Sequence, residues 1–211
     1  MKFINKKNNY ISFIAFTLAE VVIVIGIIGI IAEMTIPNLI SDFRKTEIAT
    51  RTKKFYSTFS QAIKLSEVEN GDSRYWTMPE KTYDSIKVFL DTYLPVLKYE
   101  KIEPSGPQNA KIYFNDGTTG LVAKGGCVDF IFDANGPKPP NSYGKDKFTF
   151  LFCQGTESTN FFETSNKTFG AYYENKSRSY LLSVCTTDGY SCSGLLMHDG
   201  WEFKSDYPYK F

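Results

Sequence analysis

The sequence predicts an α+β protein in which one long N-terminal helix packs against a small antiparallel β-sheet. Three observations lead to this fold class. A nearly uncharged apolar run close to the N-terminus continues into a segment whose apolar residues recur at helical spacing. The remaining part of the chain contains short apolar runs separated by Gly, Pro, Asn and Asp, which is typical of strands and turns. Aromatic residues make up 16% of the 211 residues, which favours a β-rich body.

The apolar run is long enough to cross a membrane. Residues 10–32 contain a single charged side chain, Glu20, in 23 positions. A helix of that length spans about 34 Å, against about 30 Å for the hydrocarbon core of a bilayer. Lysines precede the run, so the positive-inside rule places the N-terminus in the cytoplasm and the rest of the chain outside. A secretory signal peptide is the alternative, but its apolar region is shorter and ends at a small-residue cleavage site.

Glu20 is the feature that a plain membrane anchor does not explain. A carboxylate in the hydrocarbon region is disfavoured by about 2.5–3.5 kcal/mol on insertion scales, so such a residue usually has a partner. Cleavage of the chain before Phe16 would create an α-amino group, positively charged at neutral pH, about one helical turn from Glu20. That amine could pair with Glu20 of its own helix or of a neighbouring copy, which would hold helices in register.

A short motif surrounds this acid: Ala15-Phe16-Thr17-Leu18-Ala19-Glu20, followed by an apolar run that closes with Ile36-Pro37. Over about residues 10–45 the chain thereby resembles the processing site and spine helix of type IV pilins and pseudopilins. The resemblance implies that prepilin peptidase cleaves between Ala15 and Phe16 and methylates the new amine. It also implies that Glu20 is the assembly acid, that Pro37 kinks the helix, and that the fold is pilin-like.

The chain departs from the family pattern at three places. Ala15 stands where the family usually has Gly, and the basic residues do not directly precede the cleavage site. Glu33 adds a second acid late in the apolar run, where we expect it to lie near the outer membrane interface. The first two departures bear on how efficiently the peptidase cleaves the chain, and Glu33 bears on how deep the helix lies in the membrane.

Three regions follow from these patterns: a prepilin leader over residues 1–15, a transmembrane and spine helix over 16–70, and an extracytoplasmic globular domain over 71–211. Beyond the apolar run, a helical repeat of apolar residues predicts that the spine continues with one buried face, to which Phe55 and Phe59 belong. Asn70-Gly71-Asp72 is a helix stop signal.

The globular domain is predicted to combine one short helix with an antiparallel sheet. Residues 85–97 have a helical pattern. Asn115-Asp116-Gly117 is a hairpin turn signal between two short apolar runs. The predicted strands are residues 111–114, 118–123, 127–132 and 147–152, with residues 171–173 and 180–184 as a further pair.

The sequence has four cysteines: Cys127, Cys153, Cys185 and Cys192. None of them belongs to a CxxC pair, which argues against a structural zinc site. An even number of cysteines beyond a membrane segment favours disulfides in an oxidising compartment. Four cysteines allow three connectivities. If Phe132 pairs with Phe148, Cys127 faces Cys153 on neighbouring strands, which leaves Cys185 and Cys192 to close a short loop.

The loop between the last two long strands is a candidate calcium site. Asp133 and Asn135 precede Gly136 in the spacing with which calcium loops begin, and Asp146 could add an oxygen from the far side. The twelfth position holds Gly144 in place of the Glu of an EF-hand. A rigid turn in which Asp and Asn bind their own backbone is the alternative. The loop and the C-terminal segment resemble segments of some pilin-like proteins, and some pseudopilins bind calcium in a comparable loop.

Other classes of function have little support in the sequence. A formal net charge of +1 gives no general argument for nucleic acid, and lysines on the predicted spine are typical of a solvated helix face. No phosphate-binding glycine motif occurs, and the one histidine, His198, lies in a turn-like segment without a marked nucleophile. We therefore expect no enzymatic activity and no cofactor other than calcium.

Three functions remain as hypotheses. In the first, the chain is a subunit of a type IV pilus-type filament, with other pilin subunits, prepilin peptidase and the membrane as partners. In the second, it is a pseudopilin of a type II secretion system and forms a short periplasmic filament. In the third, it is a membrane-anchored extracytoplasmic binding module that does not polymerise.

Overall fold

The computed structural model describes residues 17–211, which form an α+β protein. The helices are α1 (Leu18–Asn70), α2 (Tyr83–Tyr93), α3 (Gly155–Phe162), α4 (Arg178–Asp188) and α5 (Cys192–His198), with a 3₁₀ turn at Ser73–Tyr75. The strands are β1 (Tyr99–Pro104), β2 (Ala110–Phe114), β3 (Thr119–Lys124), β4 (Val128–Asp133), β5 (Lys147–Phe152) and β6 (Phe169–Ala171).

The chain divides into two compact units between Ser41 and Asp42. In the described residues of the first unit, helix α1 is continuous through Pro37. The second unit contains the end of α1 and all remaining elements. Helix α1 ends at Asn70, where the sequence predicts a stop, and Gly71 follows with a φ of +73°.

The six strands form one antiparallel sheet in sequence order, β1 to β6. The Asn115-Asp116-Gly117 turn joins β2 to β3, as predicted, and Gly117 donates its amide to the carbonyl of Phe114. Phe132 lies opposite Phe148 in the β4–β5 ladder, which confirms the register inferred from the sequence. Strand β1 was not predicted, because its Tyr99–Pro104 sequence mixes charges with apolar residues.

The core lies between the end of α1 and one face of the sheet. Phe55 of α1 stacks on Phe132 at a ring-centroid distance of 4.4 Å. Phe59, one turn later, lies 4.4 Å from Phe130 and 5.1 Å from Phe169. Aromatic pairs at these distances add to the free energy gained by burying the rings. The predicted burial of Phe55 and Phe59 is confirmed.

The C-terminal third is more helical than the sequence suggested. Residues 180–184, predicted as a strand, lie in helix α4, so that prediction is wrong. Ser177 caps this helix through the amide of Tyr180, and Gly189 ends it with a φ of +73°. Leu181 and Cys185, four residues apart, are its buried residues, so the apolar repeat is helical. Helix α5 packs against β5, β6 and α4.

Candidate functional site

Helix α1 begins with three reciprocal hydrogen bonds between Thr17 and Glu20. The amide and the hydroxyl of Thr17 each donate to one carboxylate oxygen of Glu20, at 2.8 Å. The amide of Glu20 donates to Thr17 Oγ1 at 3.2 Å. This is a capping box, in which each side chain satisfies a backbone amide that the helix leaves free. The sequence motif Thr-x-x-Glu could have predicted it.

The cleavage and methylation sites assigned to Ala15 and Phe16 lie outside the described residues. Glu20 therefore has a structural role of its own at the start of the helix, whatever precedes Thr17. Its carboxylate also lies at the helix N-terminus, where the helix dipole favours a negative charge.

The first part of α1 exposes a continuous apolar surface. The valines and isoleucines from Val21 to Ile31 each keep 47–61% of their surface exposed. The most apolar 18-residue window of this helix has a mean hydropathy of 2.3 and is not buried by the described residues. By length and composition the helix could cross a membrane. Since apolar surface of this extent is unfavourable in water, it requires a lipid or protein environment.

Two disulfides fix the globular unit, with the pairing inferred from the sequence. Cys127 and Cys153 lie at the adjoining ends of β4 and β5, with a Cα–Cα distance of 4.6 Å. Cys185 and Cys192 join α4 to α5 across seven residues. All four cysteines are thus oxidised, so none is a free thiol. Disulfides of this kind indicate an oxidising compartment.

The loop from Asp133 to Asp146 is organised around the carboxylate of Asp146. Its Oδ2 accepts hydrogen bonds from Asn135 Nδ2 at 3.0 Å and from the amide of Asn141 at 2.8 Å. Its Oδ1 accepts the amide of Ser142 at 2.6 Å. A fully buried carboxylate with three such donors holds the loop closed. The sequence predicted Asp146 as a possible calcium ligand. It did not predict that the Asp146 carboxylate accepts hydrogen bonds from two backbone amides of the loop.

Two oxygens of the same loop have no hydrogen-bond donor among residues 17–211. They are Oδ1 of Asp133 and Oδ1 of Asn135, and both are buried. Burial raises the pKa of Asp133 to about 6, and the negative charge of Asp146 acts in the same direction. Asp133 is 5% exposed. Buried oxygens without donors are rare in folded proteins, so this pair requires a partner or carries a penalty in stability.

The loop from Asp133 to Asp146 offers some, but not all, of the oxygen ligands that a hard cation needs. Asp133 and Asn135 offer unpartnered oxygens, whereas the oxygens of Asp146 already accept three donors. Within residues 17–211, no cluster of three or more His, Cys, Asp and Glu side chains could hold a metal ion. A calcium ion in this loop would thus need an amide oxygen and further oxygen ligands besides the carboxylates.

An ion-pair cluster that no sequence pattern predicts holds the C-terminal segment in place. Arg178, at the start of α4, donates to both carboxylate oxygens of Asp199, at 2.6 and 2.9 Å. It also donates to both oxygens of Asp206, each at 2.7 Å. The pKa of Arg178 is raised by these carboxylates, and Arg178 lowers the pKa of Asp206. Only the tertiary structure brings these three residues together.

The aromatic residues near the C-terminus are structural. The indole of Trp201 lies 5.4 Å from the ring of Tyr56 on α1. The hydroxyl of Tyr207 donates to the carbonyl of Gly144 at 2.6 Å, so the C-terminal segment supports the loop. His198 is the last residue of α5, and its Nδ1 lies 3.6 Å from Asp199 Oδ1.

The model of a family of unknown function (DUF6613) matches residues 38–211 of the chain. A search of curated proteins and a search of solved structures each found no match. The family match covers the whole globular unit and starts within helix α1. The chain belongs to this family of unknown function (DUF6613).

Proposed function

We propose that this chain is a membrane-anchored subunit of a type IV pilus-type filament. One observation carries the proposal: an exposed apolar helix has a carboxylate, Glu20, in its first turn, four positions after Phe16, where the cleaved chain is expected to begin. In the membrane, lipid covers this helix. In a filament, the same surface packs against the helices of neighbouring copies, so subunits pass from one apolar environment to another.

The acid at the start of the helix gives this assembly its register. Cleavage before Phe16 leaves a positive α-amino group next to Thr17, at the positive end of the helix dipole, where it is unfavourable. Both hydrogen bonds that Glu20 accepts from Thr17 go to Oε2, so among residues 17–211 its Oε1 keeps room for the amine of a neighbouring copy. The amine of one copy and the carboxylate of the next then form a pair shielded from water.

The two disulfides and the compact sheet suit a body that is exported and exposed to an oxidising environment. In this proposal the chain has no catalytic activity. It is the substrate of prepilin peptidase and is carried into the filament by other components. A pseudopilin of a type II secretion system would use the same helix, and a non-polymerising anchor would use only its membrane span.

A calcium-binding role of the loop from Asp133 to Asp146 is a second, compatible proposal. The observation that favours it is the pair of unpartnered buried oxygens on Asp133 and Asn135. A bound divalent cation would supply positive charge where two buried carboxylates lie close together. Asp146 would hold the loop in shape through its three accepted hydrogen bonds.

Intact-mass measurement of protein purified from membranes tests the filament proposal. A mature species that starts at Phe16 and carries one added methyl group supports a processed filament subunit. A species that retains Met1 would overturn it in favour of the anchored module. Genes for a retraction motor or for a secretin beside this one would then separate a pilus from a secretion filament.

A further inference from the structure

The globular unit has a groove of about 600 Å³ whose walls carry an excess of positive charge. Arg44 and Arg51 of α1 form one wall, and Lys138, Lys145 and Lys210 come from the loop and the C-terminal segment. Glu47 is the one acidic side chain among the lining residues. Because the whole chain has a formal net charge of only +1, this local excess of basic residues is a distinct feature of the surface.

The three lysines of the groove are available to a ligand. Arg51 is held by Glu47 at 2.7 Å and by the carbonyl of Ala134 at 3.0 Å. In contrast, Lys138, Lys145 and Lys210 make no ion pair with any residue of the described chain. Five like charges in one concavity repel each other, and Glu47, the one acidic side chain of the lining, already pairs with Arg51. An anionic ligand would relieve this repulsion.

We propose that this groove binds the phosphate of an anionic phospholipid headgroup in the membrane leaflet that faces the globular unit. Arg44 follows Ser41, the last residue of the first compact unit, by three positions in the chain. Basic residues that lie close to a membrane surface are attracted to anionic lipid, within about one Debye length. Arginine and lysine are also the side chains that best recognise phosphate oxygens.

The inference rests on the membrane-anchored form in the proposed function, but not on cleavage or polymerisation. A chain that retains its leader, or that never forms filaments, would still present the groove. The two ideas therefore fail separately: intact-mass measurement tests processing, and lipid labelling tests the groove.

The test reconstitutes the full chain in phosphatidylcholine nanodiscs that contain a phosphatidylglycerol probe with a photoreactive headgroup. The triple variant Lys138→Gln, Lys145→Gln, Lys210→Gln removes the free charges of the groove. The matched control, Lys53→Gln, Lys64→Gln, Lys81→Gln, removes three exposed lysines that do not line it. Circular dichroism and disulfide content show that each variant is folded, and the single variant Lys138→Glu, in an exposed loop position, serves as a milder change.

We expect the probe to label peptides that contain the groove, with at least about a tenfold loss in the groove triple variant and no loss in the control. Lys138→Glu should give an intermediate loss. Equal labelling by a phosphatidylcholine probe, absence of labels from the groove, or equal loss in both triple variants would overturn the proposal. Displacement by glycerol 1-phosphate, at an ionic strength matched with sodium chloride, would also overturn it, since the groove would then bind a soluble phosphate.

Discussion

The amide and hydroxyl of Thr17 both lie 2.8 Å from the same carboxylate oxygen of Glu20. Glu20 therefore has two separable properties: an oxygen that caps the helix, and a negative charge that can pair with a new N-terminal amine. A capping box by itself stabilises a helix start by about 0.5–2 kcal/mol and needs no charge. The proposed assembly role does need the charge.

Glu20→Gln separates these two properties, since glutamine also caps helices at this position but is neutral. We expect Glu20→Gln to reduce the yield of sheared filaments by at least about tenfold, as strongly as Glu20→Ala, because both lose an interaction of more than about 1.4 kcal/mol. Thr17→Ala keeps the charge, removes the cap hydroxyl, and should keep most of the yield. Wild-type yield from Glu20→Gln would limit the role of Glu20 to capping.

The two disulfides should differ in their contribution to stability. Cys127–Cys153 spans 26 residues and Cys185–Cys192 spans seven. Loop-closure entropy gives about 3.5 kcal/mol for the first and about 2.4 kcal/mol for the second. We expect the Cys127→Ala, Cys153→Ala variant to lose about 1 kcal/mol more unfolding free energy than the other double variant. Urea denaturation of both measures this, and the reverse order would contradict the entropic account.

Arg178 should be required for the stability of the C-terminal segment. The Asp199 side chain is 5% exposed, so Arg178→Gln leaves a buried carboxylate without its two charged hydrogen bonds. We expect the unfolding free energy to fall by about 3 kcal/mol. The control is Lys87→Gln, which breaks the exposed ion pair with Asp91. We expect this variant to change the unfolding free energy by less than about 1 kcal/mol. Similar losses in both variants would show that burial of Asp199 is not the cause.

Asp129 should make the protein less stable as the pH rises above the acidic range. Burial raises the pKa of this carboxyl above its ordinary value of 3.8, although Tyr190 donates a hydrogen bond to it at 2.9 Å. The folded state therefore binds the proton more tightly than the unfolded state. The contribution of Asp129 to the free energy of unfolding is therefore most favourable below pH 3.8. It declines as the pH rises through the pKa of Asp129 in the folded state.

Asp129→Asn removes this ionisation and keeps an oxygen that can accept from Tyr190. We expect the variant to be more stable than the wild type at pH 7, with a smaller difference at pH 4. Chemical denaturation across this pH range measures both values. Asp129→Ala controls for the lost hydrogen bond, and a pH-independent difference for Asp129→Asn would count against the assigned cause.

Calcium should stabilise the chain through the loop from Asp133 to Asp146. At a concentration one hundred times the dissociation constant, a ligand of the folded state adds about 2.7 kcal/mol. We expect a higher thermal unfolding midpoint in calcium than in chelator, and no such shift for Asp133→Asn or Asn135→Ala. Glu100→Gln changes an exposed acid outside the loop and should keep the shift. Equal midpoints in calcium and chelator for the wild type would refute the site.

Much of the α+β architecture could be predicted because its signals are local. The Asn115-Asp116-Gly117 turn, the Asn70-Gly71 helix stop and the alternating phenylalanines of β4 and β5 each act within a few residues. The register Phe132–Phe148 also determined that Cys127 faces Cys153. The strand predicted over residues 180–184 is wrong because a short apolar run is compatible with both strand and helix, and here Ser177 caps a helix that contains it.

The sequence by itself determined that this chain has an apolar helix suited to a membrane, an acid at the start of that helix, and a sheet whose aromatic face packs on the helix. These follow from periodicity and spacing, which depend on neighbours along the chain. Only the tertiary structure decided that Asp146 organises its loop, that Arg178 joins Asp199 to Asp206, and that five basic residues share one groove. The residues of such clusters lie up to 166 positions apart, as Arg44 and Lys210 do, so folding alone brings their charges together.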